Sequence, residues 1–149
     1  MDYTIIIPTY NEAQNINYLI PFLQRQGAKR IVIANSPATT DESAAVAIAY
    51  GVEILACPKA GRAAQMNYAA FCTDAELLYF VHADTVPPSS FLQDILAALR
   101  KGYDLGYFRY QFDDQRLLLR LNSYCTRFDG VFAGGGVQTL FILRPVFET

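Results

Sequence analysis

The sequence predicts an α/β domain, a mostly parallel sheet flanked by helices, and three observations carry that prediction. Short apolar runs rich in β-branched residues alternate with segments of helical periodicity three to four times in the first hundred residues, the mark of βαβ units with right-handed crossovers. The runs are apolar at successive positions rather than alternating, as strands buried on both faces must be. The central one, Leu77-Leu78-Tyr79-Phe80-Val81, stops abruptly in the small polar cluster His82-Ala83-Asp84-Thr85. In an open α/β sheet ligands bind just past the carboxyl ends of the strands, so the chain delivers the Asp84 carboxylate to the place where such a fold keeps its chemistry.

Taken in order, residues 3–7 form a short β-branched strand ended by Pro8, and Thr9-Tyr10-Asn11-Glu12 a polar loop. Ile16, Leu19, Ile20 and Leu23 fall at i, i+3, i+4 and i+7, one face of an amphipathic helix that Gly27 closes. Pro21 lies inside that pattern and predicts a kink or a shortened first half. Residues 30–34 are a second strand apolar on both faces, residues 35–40 a loop, and residues 41–50 an Ala-rich helix capped by Thr40 and stopped by Gly51. Residues 52–56 make the third strand, Pro58-Lys59-Ala60-Gly61-Arg62 a basic turn, and residues 63–72 a helix with Met66 and Ala70 inward.

After the central strand, Pro87 and Pro88 bar its continuation, and Ser89 or Ser90 caps the next helix. That helix carries Phe91, Leu92, Ile95, Leu96 and Leu99 on one side and ends at Gly102. Residues 105–112 read as a strand, 117–124 as a helix, 133–136 as a flexible Gly-rich loop and 139–143 as the last strand. Residues 144–149 open a further helix with Pro145 at its first position. One turn does not sustain a helix without packing, so two readings of this segment stand: a domain cut short, or a docked C-terminal tail.

The 149 residues suit a single domain. At 52% hydrophobic content the chain can build a substantial core and share apolar surface with a second copy, so a homo-oligomer is an expectation. A net charge of −2 and a pI of about 5.3 argue against nucleic acid or an anionic membrane as partner. Cys57, Cys72 and Cys125 are far apart without CxxC spacing, which argues against a metal cluster or disulfide framework and fits a cytoplasmic location. The N-terminus has no basic n-region, so no signal peptide is expected. No apolar run approaches the roughly 20 residues of a membrane span. The glycine fingerprint of dinucleotide-binding folds and the P-loop are both absent. One histidine and no G-x-S-x-G elbow leave a Ser-His-Asp hydrolase little to stand on.

Three stretches together resemble the family 2 glycosyltransferases of the Rossmann-like GT-A fold. Ile5-Ile6-Ile7-Pro8-Thr9-Tyr10-Asn11-Glu12 matches that family's opening strand and loop, and Gly61-Arg62-Ala63-Ala64-Gln65-Met66-Asn67 resembles the segment after its third strand. His82-Ala83-Asp84-Thr85 stands where the family carries its metal-binding Asp-x-Asp motif. The form with His first resembles a bacterial branch often found beside radical-SAM proteins. The resemblance implies a nucleotide-sugar donor, a divalent cation and an acceptor that it does not identify. It also implies that Pro8, Thr9, Tyr10 and Glu12 line the base and ribose pocket, with Tyr10 stacking on the base and Glu12 accepting from ribose hydroxyls.

The chemistry of the residues agrees. A nucleoside diphosphate leaving group needs its developing charge neutralised, usually by Mg²⁺ or Mn²⁺. Mg²⁺ takes one or two carboxylates plus substrate phosphates, which Asp84 alone satisfies. His82 is either a second ligand, better suited to Mn²⁺ than Mg²⁺, or a buried histidine completing a hydrogen bond. The Arg62 fork matches phosphate oxygens; the alternative is a solvated surface charge. Gln65 and Asn67 are donor contacts or local hydrogen-bonding groups, and Glu12 equally suits a helix N-terminus.

Three departures from the family pattern stand out. The loop after the second strand usually presents a base-reading carboxylate; here Asn35 or Ser36 stands there, and an amide can still bond a uracil edge. Gly136-Val137-Gln138 lacks the acid of the related Gly-Asp-Gln. Inverting members use an Asp or Glu base late in the chain, yet after Asp129 the only carboxylate is Glu148, and nothing ties Asp113 or Asp114 to the role. A glycosyltransferase is thus the first expectation and a donor-binding domain without the base the second.

Overall fold

The chain alternates strand and helix through β1 (Tyr3–Thr9), α1 (Ala13–Arg25), β2 (Ile31–Asn35), α2 (Ser43–Ala49), β3 (Glu53–Ala56), α3 (Arg62–Phe71), β4 (Leu77–Phe80), α4 (Phe91–Arg100), β5 (Leu105–Tyr107), β6 (Leu140–Leu143) and α5 (Arg144–Phe147). A computed structural model describes residues 1–108 and 139–149. The expected helix over 117–124, the outer part of the strand over 105–112, the loop over 133–136, Cys125, Asp113, Asp114, Asp129 and the Gly136-Val137-Gln138 segment lie outside the described residues.

The described strands form one sheet in the order β3-β2-β1-β4-β6-β5. The first four run parallel, and β6 and β5 are antiparallel additions beside β4. The predicted α/β architecture is therefore the observed one. Ile5 and Ile7 face a layer built from Ile16, Leu19, Ile20 and Leu23 of α1, Ala47 of α2, and Phe91 and Ile95 of α4. Ile6, Leu78 and Phe80 face the other layer, with Ala69 and Ala70 of α3. Both faces are thus covered, which is why these strands are apolar throughout. Tyr79 is buried too; its ring stacks on Phe91 at 5.4 Å, and its hydroxyl meets that of Thr139 at 3.0 Å, pinning the start of β6 to β4.

One proline behaves differently from expectation, and a second is accommodated without breaking its helix. Pro8 does not end β1, which continues to Thr9 in register with β2. Ile5 N–H and Thr9 C=O bond toward β2, whereas Ile6 C=O accepts from Val81 N–H on the β4 side. Pro8 therefore turns its missing N–H toward β4, past the last paired position, Ile6 with Phe80. Pro21 does not shorten α1, which is continuous through it. Its missing bond would have reached the Asn17 carbonyl four residues back, and Tyr50 supplies a replacement, its hydroxyl donating to that carbonyl at 3.1 Å.

The helix stops fall as predicted. At Gly27 (φ 87°) the N–H of Gly27 bonds Gln24 C=O and that of Ala28 bonds Leu23 C=O, a Schellman motif that repeats at Gly51 and Gly102. The predicted caps do not form. At α2 the bond to the backbone comes from Asp41, whose Oδ1 accepts from Ser43 N–H at 3.0 Å, rather than from Thr40. Ser90 precedes α4, but its hydroxyl donates to Asp94 Oδ2 at 2.6 Å instead of accepting from a backbone N–H.

The segment after β6 is docked. Arg144 donates from Nε to Ala75 C=O at 2.7 Å, from Nη2 to Thr73 C=O at 2.6 Å and from Nη1 to Ala70 C=O at 3.2 Å, while the Phe147 ring lies 5.8 Å from that of Phe80. One guanidinium thus satisfies the carbonyls that close α3 and lead into β4. Replacing it should leave them short of donors: Arg144→Ala is expected to cost about 2 kcal/mol. That is a midpoint lowered by about 4–8 °C in thermal unfolding, with Arg144→Lys recovering part of it.

Candidate functional site

The chain leaves β1 toward β2 on one side and later returns to place β4 on the other. Loops therefore diverge above the carboxyl end of β1 and open a crevice there. A cleft of about 510 Å³ occupies this position. Its walls are Pro8, Thr9, Tyr10 and Glu12 from β1 and its loop, and Ser36 and Ala38 after β2. Ala60, Gly61, Arg62 and Gln65 come from the turn into α3, and His82, Ala83 and Asp84 from beyond β4.

Of the residues the sequence singled out, Pro8, Thr9, Tyr10, Glu12, Arg62, Gln65, His82 and Asp84 meet here. Asn35 stands outside the lining; its Oδ1 accepts from Thr9 Oγ1 at 3.0 Å, and the adjacent Ser36, itself buried, faces the cleft. Ala38 and Ala60 were not singled out, and Gly61 and Ala83 entered only as members of the quoted motifs. None of the four carries chemistry of its own, and only adjacency to the motif residues could have marked Ala38 and Ala60. Gly61 has φ of 117°, a conformation closed to side-chain-bearing residues, and it swings the chain into α3 so that Arg62 opens the helix.

Around this cleft, polar side chains are arranged in two sets. Asp84 and Tyr10 are exposed, and so is Arg62 at the head of α3. Asp84 Oδ1 accepts from the Thr85 hydroxyl at 3.2 Å, and the turn carrying it is closed by Thr85 N–H to His82 C=O at 3.0 Å. His82 is buried, 8% exposed, beneath it. The second set fixes the loops. Gln65 is buried, and its Nε2 donates to Thr9 C=O at 2.9 Å and Ala34 C=O at 2.7 Å.

Asn11, at φ 53°, accepts on Oδ1 from the N–H groups of Thr40 (2.8 Å) and Asp41 (3.2 Å). Glu12 N–H donates to Ser43 Oγ at 3.0 Å, and Glu12 Oε2 accepts from Asn15 Nδ2 at 2.6 Å. Asp41 Oδ2 accepts from Ala13 N–H at 2.9 Å, so one carboxylate serves the first turns of both α1 and α2.

No three His, Cys, Asp or Glu side chains cluster to hold a metal among the described residues. Glu12 lines the cleft from the β1 loop, where its carboxylate accepts from Asn15, and the donors beyond β4 are the Asp84 carboxylate and the His82 ring. That set is too small for a closed structural site and suits a cation completed by ligand oxygens. Among the described residues no helix is long and apolar enough to cross a membrane.

The family model for glycosyl transferase family 2 matches residues 4–137. No curated protein matches in sequence. Among solved structures the chain is similar to glucosyl-3-phosphoglycerate synthase from Mycobacterium tuberculosis, solved with Mn²⁺, UDP and phosphoglyceric acid. The TM-score is 0.69 and the identity 16%, over 97% of this chain and 56% of that one. It is similar also to the mannosyltransferase PcManGT from Pyrobaculum calidifontis, solved with GDP-Man and Mn²⁺ (TM-score 0.73, 18% identity, 99% of this chain and 46% of that one). A third is mannosyl-3-phosphoglycerate synthase from Rubrobacter xylanophilus (0.71, 19%, 99% and 55%). The chain thus spans about half the length of these proteins, and at such identities the likeness shows the fold.

The loop-fixing set has a pH signature. Burial raises the Asp41 pKa, but hydrogen bonds from the Ser43 hydroxyl and from the Ala13 and Ser43 N–H groups outweigh it and hold the carboxyl below its ordinary range. A depressed carboxyl stabilises the fold at pH above its unfolded value, and that contribution is lost as pH falls through the native one. Asp41→Asn should therefore lower the urea midpoint at neutral pH, with the gap to the parent narrowing below about pH 4.

Proposed function

The chain belongs to glycosyl transferase family 2, and from that premise we propose that it binds a nucleotide-diphosphate sugar in the cleft with Mg²⁺ or Mn²⁺ and transfers the sugar to an acceptor. The observation that carries this reading is the meeting of Arg62, Asp84 and the Tyr10–Glu12 loop in one cleft above the β1–β4 switch point. The solved relatives with UDP or GDP-Man and a divalent cation support it.

On this reading the donor lies across the carboxyl end of β1. Tyr10, 58% exposed, offers its ring to the base, and Ser36 and the wall of Pro8 and Thr9 border it. Glu12 accepts from ribose hydroxyls with the oxygen that Asn15 leaves over. Arg62 binds diphosphate oxygens as a fork, at the N-terminus of α3 where backbone N–H groups also favour an anion. Asp84, an exposed carboxylate on a short turn, holds the cation, with His82 as the second donor. The cation, when bound, neutralises charge on the departing diphosphate. Residues 1–149 act as one donor-binding domain of the branch carrying His-Ala-Asp-Thr, and the unpaired Cys57 and Cys72 suit the cytoplasm.

A second reading, donor binding without turnover, draws on one observation. Glu148 lies at the far end of the sheet, because β6 runs from Leu140 beside Phe80 to Leu143 beside Leu77, and it pairs with Arg144 at 3.3 Å. It cannot reach an acceptor hydroxyl in the cleft, and Asp113 and Asp114 lie outside the described residues.

Two substitutions separate the roles. Asp84→Asn should abolish the enhancement of UDP or GDP binding by Mn²⁺ in calorimetry while leaving metal-free binding intact. Arg62→Ala should weaken binding about ten- to hundredfold with or without metal, the loss of a charge-assisted contact of about 1.5–3 kcal/mol. Metal-enhanced binding that survives Asp84→Asn would remove that residue from the site.

A further inference from the structure

Resting on the donor-binding reading above, we propose that Gln65 is a positioning residue that fixes the base side and the phosphate side of the cleft relative to each other, so that a nucleoside diphosphate binds as one ligand rather than as two weak halves. A carboxamide has two N–H donors. In Gln65 the Nε2 donates to Thr9 C=O at the end of β1 and to Ala34 C=O near the end of β2, at 2.9 and 2.7 Å. The side chain is 3% exposed. Its amide nitrogen is thus committed to the protein, although the residue lines the cleft.

The three elements it joins are the ones that carry the ligand-facing groups. Just past Thr9 come Tyr10 and Glu12, and just past Ala34 comes Ser36, whose own N–H shares the Thr9 carbonyl at 2.9 Å. Gln65 itself sits in the first turn of α3, where its N–H bonds Gly61 C=O at 2.9 Å, three residues beyond Arg62. A base held by the strand-end loops and a diphosphate held by Arg62 are covalently joined in the ligand. The gain from binding both at once depends on the spacing between the two subsites, not on the strength of either alone. Loosening the clasp forfeits that gain and leaves each half its own weak affinity. A side chain that only filled space would show no such distinction.

The test compares whole and fragment ligands on the intact chain. UDP and GDP are titrated by calorimetry, and inorganic pyrophosphate, uridine and guanosine by NMR. The variants are Gln65→Met, which keeps the length and removes the donors, and Gln65→Lys, which keeps a donor. Gln65→Met should weaken the nucleoside diphosphate by about tenfold or more with the fragments within about twofold, and Gln65→Lys should recover most of the loss. Equal affinity of the parent and Gln65→Met for the diphosphate overturns the proposal. So does a loss shared equally by pyrophosphate, which would mean a lost contact or a damaged fold. Where circular dichroism shows that Gln65→Met does not fold, a folded Gln65→Lys that has lost the diphosphate overturns it equally. A parent chain that binds none of UDP, GDP, CDP and dTDP overturns the donor-binding reading itself, before any substitution is made.

Discussion

The rest of the structure depends on the burial of β1. Ile5, Ile6 and Ile7 are wholly buried, with β2 and β4 on either edge and helices on both faces. A strand enclosed on four sides has nowhere to place a polar group except at its ends. The carboxyl end, above which the connections diverge toward β2 on one side and from β4 on the other, is therefore where Thr9, Tyr10 and Glu12 emerge and where a crevice opens. The cleft follows from this enclosure rather than from any single side chain. Pro8 belongs to the same logic: a residue without an N–H marks the point where β1 stops pairing with β4 and the crevice begins.

Above that point the molecule divides its polar residues between two tasks. Asn11, Asp41, Ser43, Asn35 and Gln65 bond mainly to backbone or to one another and hold the loops in place. Arg62, Asp84 and Tyr10 are exposed and face the space those loops enclose. This division suits a site that must bind a long, flexible, charged ligand, because ordering the loops beforehand lowers the entropy lost on binding. It also suits a cation site that the protein leaves incomplete.

Much of this was legible in the sequence. The apolar runs gave the strands and their double-sided burial, the periodicity of Ile16, Leu19, Ile20 and Leu23 gave the inner face of α1, and Gly27, Gly51 and Gly102 gave the helix ends. The abrupt polar end of the central run marked Asp84. What was not legible depended on partners distant in sequence. Pro21 reads as a kink or an early helix end until Tyr50, at the end of α2, is found donating to the carbonyl it frees. Asn35 and Ser36 are adjacent, and only strand register decides which of them turns toward the cleft. Thr40 is a good cap by type, yet Asp41 reaches two helices at once. Gln65 gave no local sign of its role, because both of its partners lie on strands more than thirty residues away.

The central claim is that the cleft is a donor site that a divalent cation completes. The most direct measurement is thermal unfolding of the chain with UDP, GDP, CDP and dTDP, each with and without Mn²⁺. Ligand at about 100 times its dissociation constant adds about 2.7 kcal/mol, which for a domain of this size raises the midpoint by about 5–10 °C. The account predicts such a rise with at least one nucleotide, larger when Mn²⁺ is present. A midpoint unmoved by every nucleotide, with or without metal, would contradict it.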